Sequence, residues 1–531
     1  MFRRIRFFYL YLVAVLKKQW KSVAFVVGAL LILVVVFNLL LPRLGQNITA
    51  YGQKIVKPTY KEAIVGEPKT FNPLFSRLES EKDIDSLVFS GLTKINKEGN
   101  VVPDLAESIE IKGDTEYIFH LRKDVFWQDG EKFSADDVVY SIGLAQNPLY
   151  ESVVANNFRD VKVEKINDQT VSFKLKEPFA PFLTATTLGL IPKHISLTHY
   201  RPVGTGKFRF SNVSKGSVTL ENSSLKLKFQ FYPNEEAALT ALRLGEIHSL
   251  AGSRGDLAKV SDWKNYKVAQ PSLPYQLVTL FFNTKEAPLS EKNIRQALTY
   301  SLNKEELVKD SLGSKGKVAS NSYADIPALQ ENIKEKYSFN LDKANSLLTA
   351  EGWTNTGGKL VKDGKLMTVT ITTLAEPDYE NTAQQIKKSW EKLGIEVTIQ
   401  AVSGSELKDS IVPNRSFSVL LSSLLLNSDP DQYVLWHTTQ IKEGNITGVA
   451  QPKLDKLLED GRKSLDPKVR VSKYQEFAKH LLDEDPAVFL YYPNYTWIYS
   501  NRLQNLDLKD FRETFDRFSS SDSWSLNRPL I

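Results

Sequence analysis

The sequence predicts an α/β body behind an N-terminal transmembrane helix, and three patterns predict it. Segments of strand, helix and strand character follow one another between Lys365 and Ala401. A second strand–helix unit runs from Lys226 to Gly245. Ahead of both lies an uncharged apolar run, Val23–Leu41.

The N-terminal run is read from length and charge. It has one polar side chain, Asn38, and at ~1.5 Å per residue it spans roughly the 30 Å hydrocarbon core of a bilayer. Arg3, Arg4, Arg6, Lys17, Lys18 and Lys21 precede it and Arg43 follows, so the positive-inside rule keeps the N-terminus cytoplasmic. A cleaved signal has a shorter core ending at small residues, whereas this one ends Leu39-Leu40-Leu41-Pro42-Arg43. The expectation is a basic cytoplasmic tail at 1–22, a single-pass anchor at 23–41 and a linker at 42–57. The body would then sit at the cell membrane, outside the cytoplasm. The apolar stretch Phe7–Leu16 is too short to span and flanks the anchor.

Further on, Lys226–Tyr232 alternates Leu227, Phe229 and Phe231 on one face, the period of a half-buried strand. Asn234 then caps a helix with Glu235 and Glu236 in its first turn, and Gly245 stops it. Lys365–Thr373 reads as a strand through Met367, Val369 and Ile371. The helix from Asp378 to Leu393 gathers Tyr379, Ala383, Ile386, Trp390 and Leu393 on one face, and Ile395–Ala401 resumes as strand after Gly394. Units of this kind make parallel crossovers. Glu116–Arg122 and Thr170–Leu175 read as further strands. Ser134–Ala145 reads as a helix opened by a Ser134/Asp137 capping box, and Lys453–Ser464 and Val469–Asp483 as amphipathic helices.

Composition narrows the function. A chain of 531 residues exceeds one ordinary domain and has room for two or three lobes. The absence of cysteine excludes disulfides, thiol nucleophiles, thiolate metal sites and lipid attachment through cysteine. Six of the 68 basic side chains lie in residues 1–21, and the rest match the 62 acids in number. A neutral body of this kind lacks the concentrated positive field that nucleic-acid binding needs. No G-x-S-x-G or H-E-x-x-H occurs, and the six histidines (120, 194, 199, 248, 437, 480) are too scattered to supply converging metal ligands. The expectation is no enzyme, no metal and no cofactor. Tyr491, Tyr492, Tyr495, Trp497 and Tyr499 crowd one stretch, with the broad apolar faces and polar tips that suit either a sheet core or a ligand cleft.

An ordered series of motifs then carries a resemblance. It comprises Gly66-Glu-Pro-Lys-Thr-Phe-Asn-Pro73, Phe89-Ser-Gly-Leu92, Pro103-Asp-Leu-Ala-Glu-Ser108 and Tyr117–Gly130, running into Phe133–Ser141. Pro202-Val-Gly-Thr-Gly206, Glu235–Glu246, Phe282-Asn283, Ile294–Leu298 and Asp429-Pro430-Asp431 come after these. In this order, over residues 60–505, the chain resembles the family-5 extracellular solute-binding proteins of ABC importers, the dipeptide- and oligopeptide-binding group.

The resemblance implies a two-lobed, periplasmic-binding-protein-like α/β fold of type II with an extra subdomain in lobe one. Lobe one would combine 58–95, 201–275 and 488–531, the extra subdomain would cover 96–200, and lobe two 276–487. It implies a monomeric receptor that closes on a peptide or other small solute and delivers it to permease subunits, with Val23–Leu41 replacing a lipid tether. Ligand contacts matched by position fall on Arg77 and Glu79, Tyr275, the stretch Ser422–Leu426 with Ser422, Leu424 and Leu426 singled out, and Tyr491 or Tyr492. Tyrosines would form apolar walls, and Arg77 or Glu79 would reach a charged ligand terminus. One departure concerns the aspartate that peptide binders place three residues before the Asp-Pro motif. Here that position is Leu426, which cannot neutralise an ammonium, and Asp429 or Asp431 could compensate only from a shifted loop. A second departure is His248, where the family commonly has aspartate. The alternative reading is a sensory or docking receptor for a non-peptide solute such as an oligosaccharide. An extracellular hydrolase is a third, lacking its catalytic constellation.

Overall fold

The computed structural model describes residues 20–21, 57–197, 202–253, 260, 262–313, 315–325, 327–331, 333–509 and 511–527. By contacts the chain divides into two compact units, residues 1–59 and 60–531, and the second is the α/β body. The anchor expected at 23–41, most of the tail and linker, and the flank Phe7–Leu16 lie outside the described residues. Among the described residues no helix is long and apolar enough to cross a membrane.

Two sheets organise the body. A seven-stranded sheet has the order Tyr266–Ala269, Trp497–Ser500, Ser249–Ala251, Thr59–Val65, Lys226–Tyr232, Ser217–Glu221, Arg209–Ser214. A six-stranded sheet has the order Gly316–Val318, Ala487–Pro493, Gln276–Phe282, Val419–Leu425, Thr368–Leu374, Glu396–Val402. The strand–helix–strand unit read from the sequence lies in the second sheet. Thr368–Leu374 pairs in parallel with Glu396–Val402, and the helix Pro377–Glu391 buries Tyr379, Ala383, Ile386 and Trp390 between them and a neighbouring helix, Lys304–Leu312. The strand expected over Lys365–Thr373 is split. Lys365–Leu366 joins a small separate sheet, and Met367 turns inward before Thr368 begins.

Each face of the six-stranded sheet covers a core. Val278, Leu280, Phe282, Val419 and Leu421 face one cluster with Trp390, and Leu277, Phe281, Leu420 and Leu424 face another with Trp436 and Phe477. The seven-stranded sheet shares its core with the extra subdomain, where Ala106–Lys112, Glu116–Leu121, Thr170–Lys174 and Lys162–Asn167 form an antiparallel sheet. The helix Ala135–Gln146 beside it starts at the predicted Ser134/Asp137 capping box.

The chain leaves this subdomain through Gly204 and Gly206. A Cβ on Gly204 would lie 1.9 Å from the Val88 carbonyl oxygen, a clearance that only glycine allows. The Gly206 N–H donates to that oxygen (2.7 Å), and the Phe208 N–H to Leu87 O (3.0 Å). The boundary expected at 488 is corrected by the pairing of Ala487–Pro493 within the six-stranded sheet. The chain returns to the seven-stranded sheet only after Pro493, because the run from Ala487 is apolar enough to be buried on both faces.

Candidate functional site

Two segments join the sheets, 270–275 and 494–496, and they run side by side. Ser272 and Asn494 form an antiparallel bridge, the Leu273 N–H donates to Pro493 O (2.9 Å), and the Tyr495 N–H donates to Pro271 O (2.7 Å). A cavity of about 550 Å³ opens against this paired ribbon. Its size falls within the roughly 300–1,000 Å³ usual for small-molecule sites. Gln270, Leu273 and Asn494 line it from the ribbon, and Glu79, Gly252 and Ser253 from the seven-stranded lobe. Gln276, Val278, Tyr491 and the helix start Glu376–Tyr379 line it from the six-stranded lobe.

Local structure explains how these side chains arrive. The buried Glu81 carboxylate accepts four backbone N–H bonds, from Lys69 (2.7 Å), Thr70 (3.1 Å), Arg77 (2.8 Å) and Leu78 (3.0 Å). Burial pushes this carboxyl up, but the four donors outweigh it and hold it below the ordinary glutamate range. The turn before the helix Glu79–Val88 is thereby fixed, with Glu79 at the cavity wall.

Tyr491 arrives by a bulge. Val278 pairs with Tyr491, but Thr279 pairs with Phe489, so Leu490 is the extra residue and Tyr491 lands on the Val278 face. Its hydroxyl lies 3.0 Å from Thr382 Oγ1, and burial pushes that hydroxyl's pKa up. Beside it, Ser423 Oγ is bonded to Tyr379 Oη (2.5 Å) and to Gln276 Nε2 (3.3 Å).

Of the residues singled out in the sequence, Glu79 and Tyr491 line this cavity. Arg77 is exposed, and its guanidinium donates to Glu151 O (3.4 Å) in the extra subdomain. Ser422 lies opposite Thr279, on the sheet face that also carries Leu424, so neither points into the cavity. Leu426, 8% exposed, packs in the same core as Tyr275 and donates its N–H to Tyr275 O (2.7 Å). Tyr492 faces that core too, donating its hydroxyl to Tyr323 O (2.5 Å). Asp429 is paired with Arg470 and Asp431 with Arg462, both at 2.7 Å. His248 is structural: its Nδ1 accepts the Lys61 N–H (3.0 Å), and burial, with Arg502 and Lys61 nearby, lowers its pKa to about 4.

Sequence reasoning missed Gln276 and the acidic helix start Glu376–Asp378. A signal for the last was present, since Pro377 shortly after the strand end at Leu374 marks a helix opening, and open α/β sheets place ligands at strand ends. The described lining holds three carboxylates, Glu79, Glu376 and Asp378, and one ammonium, Lys315. Polar groups on all sides with aromatic walls suit reversible capture of a polar organic solute.

Two α/β lobes on a paired ribbon, with a cavity at the crossing, define a solute-binding protein of the two-lobed class. The chain belongs to the bacterial extracellular solute-binding proteins, family 5, whose family model matches residues 100–445. It is 30% identical over 466 residues to the oligopeptide-binding protein AppA of Bacillus subtilis (strain 168), covering 81% of this chain and 85% of that protein. The structure of the Bacillus subtilis AppA in complex with a nonapeptide matches with a TM-score of 0.72 at 28% identity, over 89% of this chain and 100% of that one. NikZ from Campylobacter jejuni, in complex with Ni(L-His), matches with a TM-score of 0.74 at 26% identity over the same shares.

Proposed function

We propose that this chain is the membrane-anchored receptor of an ABC importer, taking up a peptide between its lobes by hinge closure and passing it to the permease. One observation carries the peptide assignment. Gln276–Phe282 pairs with the strand Val419–Leu425 along its whole length, but on the other edge Thr368–Leu374 pairs with it only from Val419 to Leu421. Among the described strands none pairs with Ser422–Leu425 on that edge, beside the cavity wall formed by Tyr379 and Gln276. An extended peptide adds to such an edge through main-chain hydrogen bonds. Ser423 and Leu425, 75% exposed, then meet its alternate side chains.

Similarity to a nonapeptide-binding AppA supports the same reading. Leu426 lies in the core and Asp429 and Asp431 hold arginines, so this reading gives a ligand ammonium to Glu79 or to Glu376 and Asp378. The uncharged run Val23–Leu41 is the proposed tether, with the body outside the cytoplasm and no chemical turnover of the ligand.

The test is thermal unfolding of the full chain in mild detergent with nonapeptides, free or N-acetylated, and with nickel–histidine and oligosaccharides. A ligand at 100 times its Kd adds about 2.7 kcal/mol of stability. Stabilisation by free nonapeptides, weakened by acetylation, is the expected result. Stabilisation by nickel–histidine or sugars alone would replace the ligand class.

A further inference from the structure

The Asp429-Pro430-Asp431 motif serves a contact away from the cavity. Asp431 Oδ2 holds the Arg462 guanidinium (2.7 Å) at the end of the helix Pro452–Lys463, with side-chain exposures of 9% and 21%. The same guanidinium lies over the Tyr433 ring, 3.9 Å from ring centroid to Cζ. A second ring contact comes from the other lobe: the Phe179 ring of the extra subdomain, 4.9 Å away. Next to it the Ala180 N–H donates to Arg462 O (2.8 Å), and Lys463 Nζ lies 3.2 Å from Glu177 Oε2. None of these residues lines the cavity, and none belongs to the paired ribbon.

We infer that Arg462 is a positioning residue for ligand retention: held by Asp431 and Tyr433, it presents a flat cationic face that Phe179 covers when the lobes are together, latching the cleft at a second point besides the hinge. A guanidinium suits this role because it keeps its charge, is weakly hydrated and stacks on rings. Opening leaves the Arg462–Asp431 pair intact within one lobe, so no buried charge loses its partner. What opening loses is one backbone hydrogen bond, one exposed ion pair and one stacking contact. Together these correspond to a closed-to-open ratio about ten-fold higher than without them. The inference concerns closure and holds for any ligand class.

The absence of cysteine makes the test direct. Spin labels on Lys123→Cys and Lys479→Cys, both exposed positions in different lobes, report lobe separation in the full chain by pulsed dipolar spectroscopy. Phe179→Ala and Arg462→Lys each remove the stacking contact alone and are expected to shift the closed-to-open ratio about three-fold toward the longer distance, and Phe179→Tyr to restore it. Arg462→Lys keeps a cation beside Asp431, so its effect is not that of an orphaned carboxylate. Should Phe179→Ala fail to fold by circular dichroism, Arg462→Lys and Lys463→Glu carry the comparison. Variants with the wild-type distribution, or a wild type wholly at the longer distance, would overturn the inference.

Discussion

Tyr491 lies across from Val278, one residue out of the register that pairs Phe489 with Thr279. The slip separates two adjacent tyrosines into different jobs. Tyr491→Phe removes a hydroxyl from the cavity wall, and the expected outcome is weaker peptide binding with unfolding stability changed by less than about 1 kcal/mol. Tyr492→Phe removes the donor to Tyr323 O and the acceptor for Gln330 Nε2 (3.1 Å), so stability falls by about 1–2 kcal/mol with binding unchanged. Urea unfolding and peptide titration of both variants check the pair.

Asp85 gives a pH prediction of unusual sign. It is buried and faces Ser76 Oγ at 2.5 Å, while Oδ1 makes no hydrogen bond. Burial, reinforced by the charge of Glu81 against the Ser76 bond, raises its pKa from 3.8 to about 8. A carboxyl raised on folding contributes its full stability below pH 3.8, and that contribution is lost as pH rises toward 8. Asp85→Asn should therefore stabilise the chain at pH 7, on the order of 2 kcal/mol, with the gain fading toward pH 4. Paired urea titrations at the two pH values read the difference.

Arg517 joins the C-terminal segment to two buried acids. Its Nε and Nη2 donate to Glu62 Oε1 (3.0 and 2.7 Å) and its Nη1 to Asp83 Oδ2 (2.6 Å), while Ser249 Oγ donates to Glu62 Oε2 (2.8 Å). Arg517→Met strands both carboxylates and should cost about 3–5 kcal/mol. Replacing all three together (Glu62→Leu, Asp83→Leu, Arg517→Met) should recover most of that loss. A triple variant as unstable as the single one would show that the cost lies in packing.

Gly204→Ala places a methyl inside the Val88 carbonyl and should destabilise by about 3 kcal/mol or prevent folding. Gly216→Ala is the control, with no atom within 4 Å of the new carbon. Thermal unfolding of the two variants separates steric cost from the general effect of losing a glycine.

How far these features were legible depended on whether a face meets water. The helix Pro377–Glu391 and the strand Lys226–Tyr232 show their period because one side is partly exposed, and the sequence reading placed both. The strand Val419–Leu425 has a core on each side, so its apolar run carries no alternation to read. Matching by position reached the stretch Ser422–Leu426 and singled out Ser422, Leu424 and Leu426, whereas the side chain bonded to the cavity-lining Tyr379 and Gln276 is Ser423. The Leu490 bulge leaves no trace in composition. The partners of Asp429 and Asp431 are distant in sequence, at Arg470 and Arg462, beyond any local pattern.

Gly204 and Gly206 bring the chain leaving the extra subdomain into close contact with Val88. Under the proposed hinge closure, the α/β body moves as two lobes about the one paired ribbon, a mechanism with a single degree of freedom. A single intramolecular distance is a complete coordinate for it, and the population along that distance is a free-energy profile. On such a profile a ligand, a substitution at Phe179 and a change of solvent all act as tilts of one curve, so their effects on lobe separation should superimpose on a common scale.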